Sequence, residues 1–194
     1  MVIFDRQTSA SGRYSDLWPL CAAFGGASLA AFQMLAQADA LFAVPFAALV
    51  LYLAWTDLDR FELPDHANLA LFALGLGWIA ASSPDVSESL VQALIRALSA
   101  AAFFLAVRTL YRSIRKVEGL GLGDVKLAAA GAVWLSWMQM PTALLIGAVA
   151  GVLIATAHAL YTWRAPALRV AIPLGAFLAP AIWLVWFAGL AGLL

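Results

Sequence analysis

The sequence is short of cysteine and of charge, and both shortages limit the class of protein. Only 11% of the 194 residues are charged, whereas 64% are hydrophobic. A typical soluble domain carries about 25% charged residues. Cys21 is the single cysteine, so this sequence can form neither an internal disulfide nor a zinc site built on paired cysteines. The composition favours a membrane protein.

Metal-binding residues and an excess of one charge are also missing. His66 and His158 are the only histidines and lie far apart in the sequence, so we predict no metal site and no other cofactor. Eleven basic and eleven acidic residues give a formal net charge of zero. This balance gives no electrostatic reason to expect a nucleic-acid partner. The expected partner is the lipid bilayer, and the oligomeric state stays open.

Long apolar blocks are the most abundant feature of the sequence. Each block is long enough to cross a hydrocarbon core of about 30 Å as a helix. The blocks are continuous and rich in Ala and Leu, without the alternation typical of strands. We predict an all-α membrane bundle of about seven helices over residues 17–194, after a cytoplasmic tail over residues 1–16. The blocks cover approximately residues 18–37, 40–56, 66–82, 89–110, 123–139, 141–161 and 170–193.

Basic residues are segregated to one side of this bundle. The opposite side holds Asp39, Asp85 and Glu88, and Arg96 falls inside the fourth block. Basic residues favour the cytoplasmic side, which places the N-terminus in the cytoplasm and the C-terminus outside. An even number of spans would destroy this segregation. The basic residues of the tail and of the second, fourth and sixth connections, with their flanks, are Arg6, Arg13, Arg60, Arg108, Arg112, Arg115, Lys116, Lys126, Arg164 and Arg169.

Two acidic segments lie at the predicted cytoplasmic edge of the membrane. Asp57 follows an unbroken apolar run and begins the polar segment 57–65, and Asp124 stands where the fifth block begins. Carboxylates that border hydrocarbon are costly and usually functional. We therefore expect Asp57 and Asp124 at similar depth on one membrane face. Asp59, Glu62 and Asp65 fit equally well as solvated caps of helix ends.

Alternating glycines precede the second aspartate. Gly119, Gly121 and Gly123 permit positive φ angles and close backbone approach, so this loop can bring Asp124 against a neighbouring helix or an extended peptide. The segment is not a phosphate-binding loop, because it lacks the Gly-Lys-Ser/Thr ending. The glycines thus favour a role for Asp124 at a close-packed site.

With these motifs, the sequence resembles the bacterial prepilin peptidases, which are membrane aspartyl proteases of the GxGD type. Asp57–Asp65 is similar to the first family motif, Glu118–Gly131 to the second, and Ile172–Ala179, more weakly, to a third. The resemblance implies that Asp57 and Asp124 are catalytic. Further candidates for substrate binding or for support of the site are Asp59, Glu62, Pro64, Asp65, Gly121, Gly123 and Lys126.

The resemblance also implies a substrate and a location. The substrate would be a prepilin or pseudopilin precursor with a basic leader, cut after a glycine at the cytoplasmic face of the bacterial inner membrane. Many family members carry an N-terminal domain with paired CxxC motifs and also methylate the product. This sequence looks like the short form, so we expect no methyltransferase activity and no zinc.

The expected chemistry is that of a carboxylate pair. Two carboxyls within about 3–5 Å cannot easily both ionise, so one keeps a proton. The ionised partner would activate water, while the protonated one would polarise the scissile carbonyl and later protonate the leaving amine. Lys126 could lower the pKa of Asp124 or hold substrate, and an interfacial anchor is an equal alternative.

Three other functions compete with this interpretation. A small proton-coupled transporter would place acidic residues near mid-membrane, whereas here they lie at the edges. Another GxGD protease, such as a preflagellin peptidase or a presenilin-like enzyme, is closer, although a presenilin-like enzyme would hold its first aspartate within a span. A structural assembly subunit has no need for two aspartates beside glycines.

Overall fold

The computed structural model describes residues 37–117, 119–161 and 173–193. Every regular element within these ranges is an α-helix, which confirms the all-α prediction. The predicted tail and nearly all of the first apolar block fall outside the described ranges. The helices are α1 (Gln37–Arg60), α2 (Asp65–Ser82), α3 (Val86–Arg115), α4 (Leu122–Ala132), α5 (Gln139–Tyr161) and α6 (Leu174–Leu190).

Three of these helices are long and apolar enough to cross a membrane. The spans are Asp39–Arg60 in α1, Val86–Arg115 in α3 and Gln139–Ala157 in α5, and Leu174–Leu190 is a shorter apolar helix. The chain is therefore a multi-pass membrane protein. The described residues contain three such helices and one shorter apolar helix, so they do not show the seven predicted spans.

Helix α4 is shorter than the predicted block 123–139. It ends at Ala132, and its eleven residues rise about 16 Å, roughly half of what a membrane crossing needs. After Ala132 the chain turns, and Val133, Trp134 and Leu135 are buried. The indole N–H of Trp134 donates to the carbonyl of Leu71 at 3.1 Å. The fifth block is apolar because this turn packs into the core, not because one helix runs through it.

The remaining helices divide into a core and a periphery. Helices α1, α2 and α4 pack with α6 around a cluster of aromatic rings, in which Phe46 stacks on Trp134 at 3.8 Å and Trp186 meets both edge-on. Helices α3 and α5 expose most of their apolar side chains, since only 17% of their spanning windows is buried, against 44% for α1. Apolar exposure of this kind is expected where lipid replaces water. The core helices are those that position the acidic residues.

Candidate active site

Asp57 lies in the last turn of α1 rather than in a loop. Helix α1 continues to Arg60, so the prediction that Asp57 begins a polar connection is wrong. The helix continues because the carbonyl of Asp57 still accepts a hydrogen bond, from the N–H of Phe61 at 3.0 Å. Phe61 then takes a left-handed conformation, with a φ of 54°, and ends the helix. Asp57 thus falls inside a candidate span, which removes the argument against a presenilin-like arrangement.

The carboxylate of Asp57 is buried against the N-terminus of α6. Asp57 is only 5% exposed, and its Oδ2 atom accepts a hydrogen bond from the N–H of Ala176 at 2.8 Å. The first N–H groups of a helix have no partner within the helix, and the helix dipole favours negative charge there. The backbone of α6 therefore compensates part of the cost of burying this carboxylate.

Asp124 lies in the first turn of α4, outside the three candidate spans. Its Oδ2 atom accepts a hydrogen bond from the N–H of Gly121 at 3.2 Å. Burial is the largest cause that raises the pKa of Asp124 to about 6; the negative charge of Asp57 adds to the rise, and the N–H groups of Gly121 and Gly175 oppose it. This carboxyl therefore holds a proton up to about pH 6.

The two carboxyls meet at one backbone position. The N–H of Gly175 interacts with both Asp57 and Asp124, and the charge of Asp57 acts on Asp124. Helices α1, α4 and α6 thus each bring one end to the site. The sequence predicted a single membrane face for the aspartates, and the fold brings them into electrostatic contact.

Leu63 fills the space between the glycines of the site. A Cβ atom added to Gly123 would lie 2.9 Å from the Cβ of Leu63, and one added to Gly175 would lie 2.8 Å from its Cδ1. The same atom on Gly175 would lie 3.0 Å from Oδ2 of Asp57. Real Cβ atoms almost never come this close, so both positions need glycine for close packing.

Other predicted residues line the connection between α1 and α2. The Nζ atom of Lys126 lies 2.6 Å from Oδ1 of Asp65 in an exposed ion pair. Lys126 is thus engaged away from Asp124. The carbonyl of Pro64 accepts hydrogen bonds from the N–H groups of Ala67 and Asn68 at 3.1 and 3.2 Å, which starts α2. The ion pair joins the start of α2 to α4.

The remaining acidic candidates face outwards. Asp59 and Glu62 are exposed, and Oδ2 of Asp59 lies 3.4 Å from Nε of Arg60. Neither residue reaches the carboxylate pair through a hydrogen bond in this part of the structure. Within the described ranges, no group of three or more His, Cys, Asp and Glu residues could hold a metal ion. The donors and acceptors described at the site are two carboxyls and backbone amides.

Sequence reasoning missed the contribution of α6. Gly175 and Ala176 offer only backbone N–H groups, and backbone groups leave no signature in side-chain chemistry. The available signal was the weak third similarity over Ile172–Ala179, which contains both residues. Within this similarity, Pro173 stands directly before the first residue of α6, at its N-cap.

Fold and site together define a helical membrane protein with a paired-aspartate site. The sequence profile of the type IV leader peptidase family matches residues 44–156, more than half of the chain. The chain therefore belongs to the type IV leader peptidase family.

Several curated proteins named prepilin leader peptidase/N-methyltransferase are similar to this chain. The protein from Burkholderia pseudomallei (strain 1026b) is 34% identical over 79% of this chain and 44% of its own length. The Legionella pneumophila protein is 34% identical over 71% of this chain and 46% of its own length. The Stutzerimonas stutzeri protein is 29% identical over 93% of this chain and 61% of its own length. The matched part of this chain thus spans about half the length of these relatives. No solved structure matches the chain.

Proposed function

We propose that the chain is a membrane aspartic endopeptidase that removes the basic leader from type IV prepilin-like or pseudopilin precursors. Asp57 and Asp124 would be the catalytic pair. The observation that carries the proposal is that Asp57 and Asp124, from two helices distant in sequence, are close enough for the charge of Asp57 to raise the pKa of Asp124 at the start of α6. The relatives are named prepilin leader peptidases, and these names support a leader peptide as the substrate.

The geometry supports a shared proton. Asp57 accepts a hydrogen bond from the N–H of Ala176 at the N-terminus of α6, which offsets part of the cost of ionising this buried carboxyl. Asp124 holds a proton up to about pH 6, because burial and the charge of Asp57 both disfavour its ionised form. The ionised carboxylate would take a proton from a water that attacks the scissile carbonyl, and the other carboxyl would protonate the leaving amine. The pair titrates as a unit, so the acid and base roles are not assigned to either residue.

The proposed orientation has seven membrane passes with the N-terminus in the cytoplasm, the fifth made by the short helix α4 together with the buried turn after it. The guanidinium of Arg108 donates to the carbonyl of Leu120, so the basic end of α3 lies beside the loop that carries Gly121 and Asp124. Basic residues favour the cytoplasmic side, and the site would therefore face the cytoplasm. Exposed Asp59 and Glu62 beside the site would attract a basic leader from that side.

The decisive experiment follows leader removal by the full chain. A precursor with a basic leader, a glycine and an apolar helix is co-expressed with wild type, Asp57→Asn or Asp124→Asn. We expect wild type to cleave and each variant to insert normally but to lose cleavage by at least about 10³-fold.

Asp85→Asn is the matched control. Asp85 caps the start of α3 by accepting from the N–H of Glu88 at 3.1 Å, and Asn is an equally good cap. This control should cleave like wild type. Normal cleavage by either of the two catalytic variants would disprove the proposed pair.

A further inference from the structure

An apolar cleft of ≈ 350 Å³ begins close to the carboxylate pair. Helices α4 and α6 form its floor, and α3 and α5 form its walls. Among its lining residues, only Ser99 and Trp137 carry a polar side-chain atom. The cleft is large enough for part of an apolar ligand but offers almost nothing to a polar one.

The floor of the cleft continues the helix faces that carry the site. On α4, Ala128 and Gly131 lie four and seven residues after Asp124, the spacing that keeps residues on one face of a helix. On α6, Leu178 and Ile182 lie three and seven residues after Gly175, again on one face. The cleft therefore begins about 6 Å along the helix axis from Asp124 and extends away from it into the bundle.

Small side chains make up much of the lining, so the cleft can receive side chains from one face of a helix. Small residues line three of the four helices, and small residues at membrane helix interfaces allow two backbones to approach closely. The rim residue Phe103 is 56% exposed, so among the described helices the cleft opens sideways towards lipid. An apolar helix can therefore enter from the bilayer without crossing water. The small lining residues are Ser99, Ala100, Ala128, Gly131, Ala132 and Ala143.

We propose that this cleft holds the apolar helix of the substrate on the membrane side of the cleaved bond. This inference rests on the proposed function. A peptide bond between Asp57 and Asp124 leaves the following residues directly over the α4 and α6 faces that form the floor. A bound lipid chain would need no such continuity with the carboxylates, and it becomes an outcome of the test.

The first test compares two substrates in phospholipid vesicles that contain the full chain. The long substrate has a basic leader, a glycine and an apolar helix of about 20 residues, and the short one ends soon after the cut. Ser99→Trp fills the cleft from an exposed position. We expect it to lower kcat/KM for the long substrate, relative to the short one, by roughly 10-fold or more.

Ala102→Trp is the matched control, because Ala102 is exposed on the same helix and does not line the cleft. It should leave the ratio of the two kcat/KM values at the wild-type value. An unchanged ratio in Ser99→Trp, or the same shift in both variants, would overturn the proposal.

The second test needs no cleavage. A photo-crosslinking phenylalanine analogue replaces Phe103 in the Asp124→Asn variant, with Leu105, exposed on the opposite face of α3, as the control position. We expect crosslinks from position 103 to the apolar helix of the long substrate and none above background from position 105. Crosslinks from position 103 to lipid alone would refute substrate docking while leaving the aspartate test untouched. Cleavage by the aspartate variants would disprove the proposed catalytic pair and would leave the outcome of the crosslinking test standing.

Discussion

Gly175 is the residue on which the site depends most, although it has no side chain. Its N–H acts electrostatically on both carboxyls, and a Cβ atom added to it would lie 2.8 Å from Cδ1 of Leu63 and 3.0 Å from Oδ2 of Asp57. Any side chain at this position has to displace one of these two neighbours. The tightness of this contact makes the geometry of the pair sensitive to a single methyl group.

At the residue scale, we predict that Gly175→Ala lowers kcat for leader cleavage by about 10- to 100-fold, with a smaller change in KM. The added Cβ would lie 3.0 Å from Oδ2 of Asp57, and displacements of about 1 Å in a catalytic group can cost about 100-fold. Gly77→Ala is the control, since its Cβ would meet Phe42 at an ordinary 3.5 Å. Steady-state cleavage kinetics of both variants in vesicles decide the matter, and equal activities would contradict the prediction.

The proton on Asp124 gives a second prediction at this scale. The pKa of Asp124 is raised to about 6, so just below this pH the carboxyl pair retains a proton, which it loses as the pH rises above about 6. The general acid is then lost, and kcat/KM should fall as the pH rises through about 6. The measurement is a pH profile of kcat/KM, with a check that the protein stays folded at each pH. An activity that rises across this range would show that the retained proton is not required.

At the scale of elements, the short connection between α1 and α2 is a structural part of the site. Only residues 61–64 separate the two helices. Within them, Phe61 turns the chain and Leu63 packs against Gly123 and Gly175. One apolar side chain thus holds the starts of α4 and α6 at a fixed distance from the end of α1.

We predict that Leu63→Ala destabilises the protein by about 2–5 kcal/mol, because it leaves a cavity between three helix ends. Leu63 is only 9% exposed, whereas Leu69 on α2 is 67% exposed and serves as the control. Leu69→Ala should change stability by less than about 0.5 kcal/mol. Denaturant unfolding in detergent measures both variants, and similar losses for the two would show that Leu63 does not hold these helices together.

At the scale of the whole molecule, the helix ends sort into two faces. The end of α1 and the starts of α2, α4 and α6 meet at the carboxylates, and the basic end of α3 lies beside them. Asp85 caps the start of α3, at the end of this helix that is far from the carboxylates, and it therefore lies at the other face. Helix α3 is 30 residues long. The length of α3 separates the two faces by about 45 Å.

We predict that Ser113→Cys is labelled from the cytoplasmic side and Ser87→Cys from the opposite side, each in a Cys21→Ser background. Both serines are exposed, and they lie near opposite ends of α3. A membrane-impermeant maleimide applied to inside-out and right-side-out vesicles distinguishes the sides. Labelling of both positions from one side would show that α3 does not span, and reversed labelling would place the aspartates outside.

The sequence by itself determined the class of fold and singled out the two aspartates that we propose as the catalytic pair. Continuous apolar blocks have few alternatives to helices in a membrane, because backbone groups in lipid must be satisfied internally. Acidic residues at the edges of such blocks are conspicuous because they are costly there. These properties depend only on composition and local order, so they can be read without the fold.

Only the tertiary structure decided how the site is completed. Asp57 and the N–H of Ala176 are 119 residues apart in sequence, and no local pattern pairs a carboxylate with a distant backbone amide. The pairing of Lys126 with Asp65, the wedge of Leu63 and the end of α4 at Ala132 likewise depend on contacts between helices. Helix packing sets which groups meet, and that packing is a property of the whole bundle rather than of any one segment.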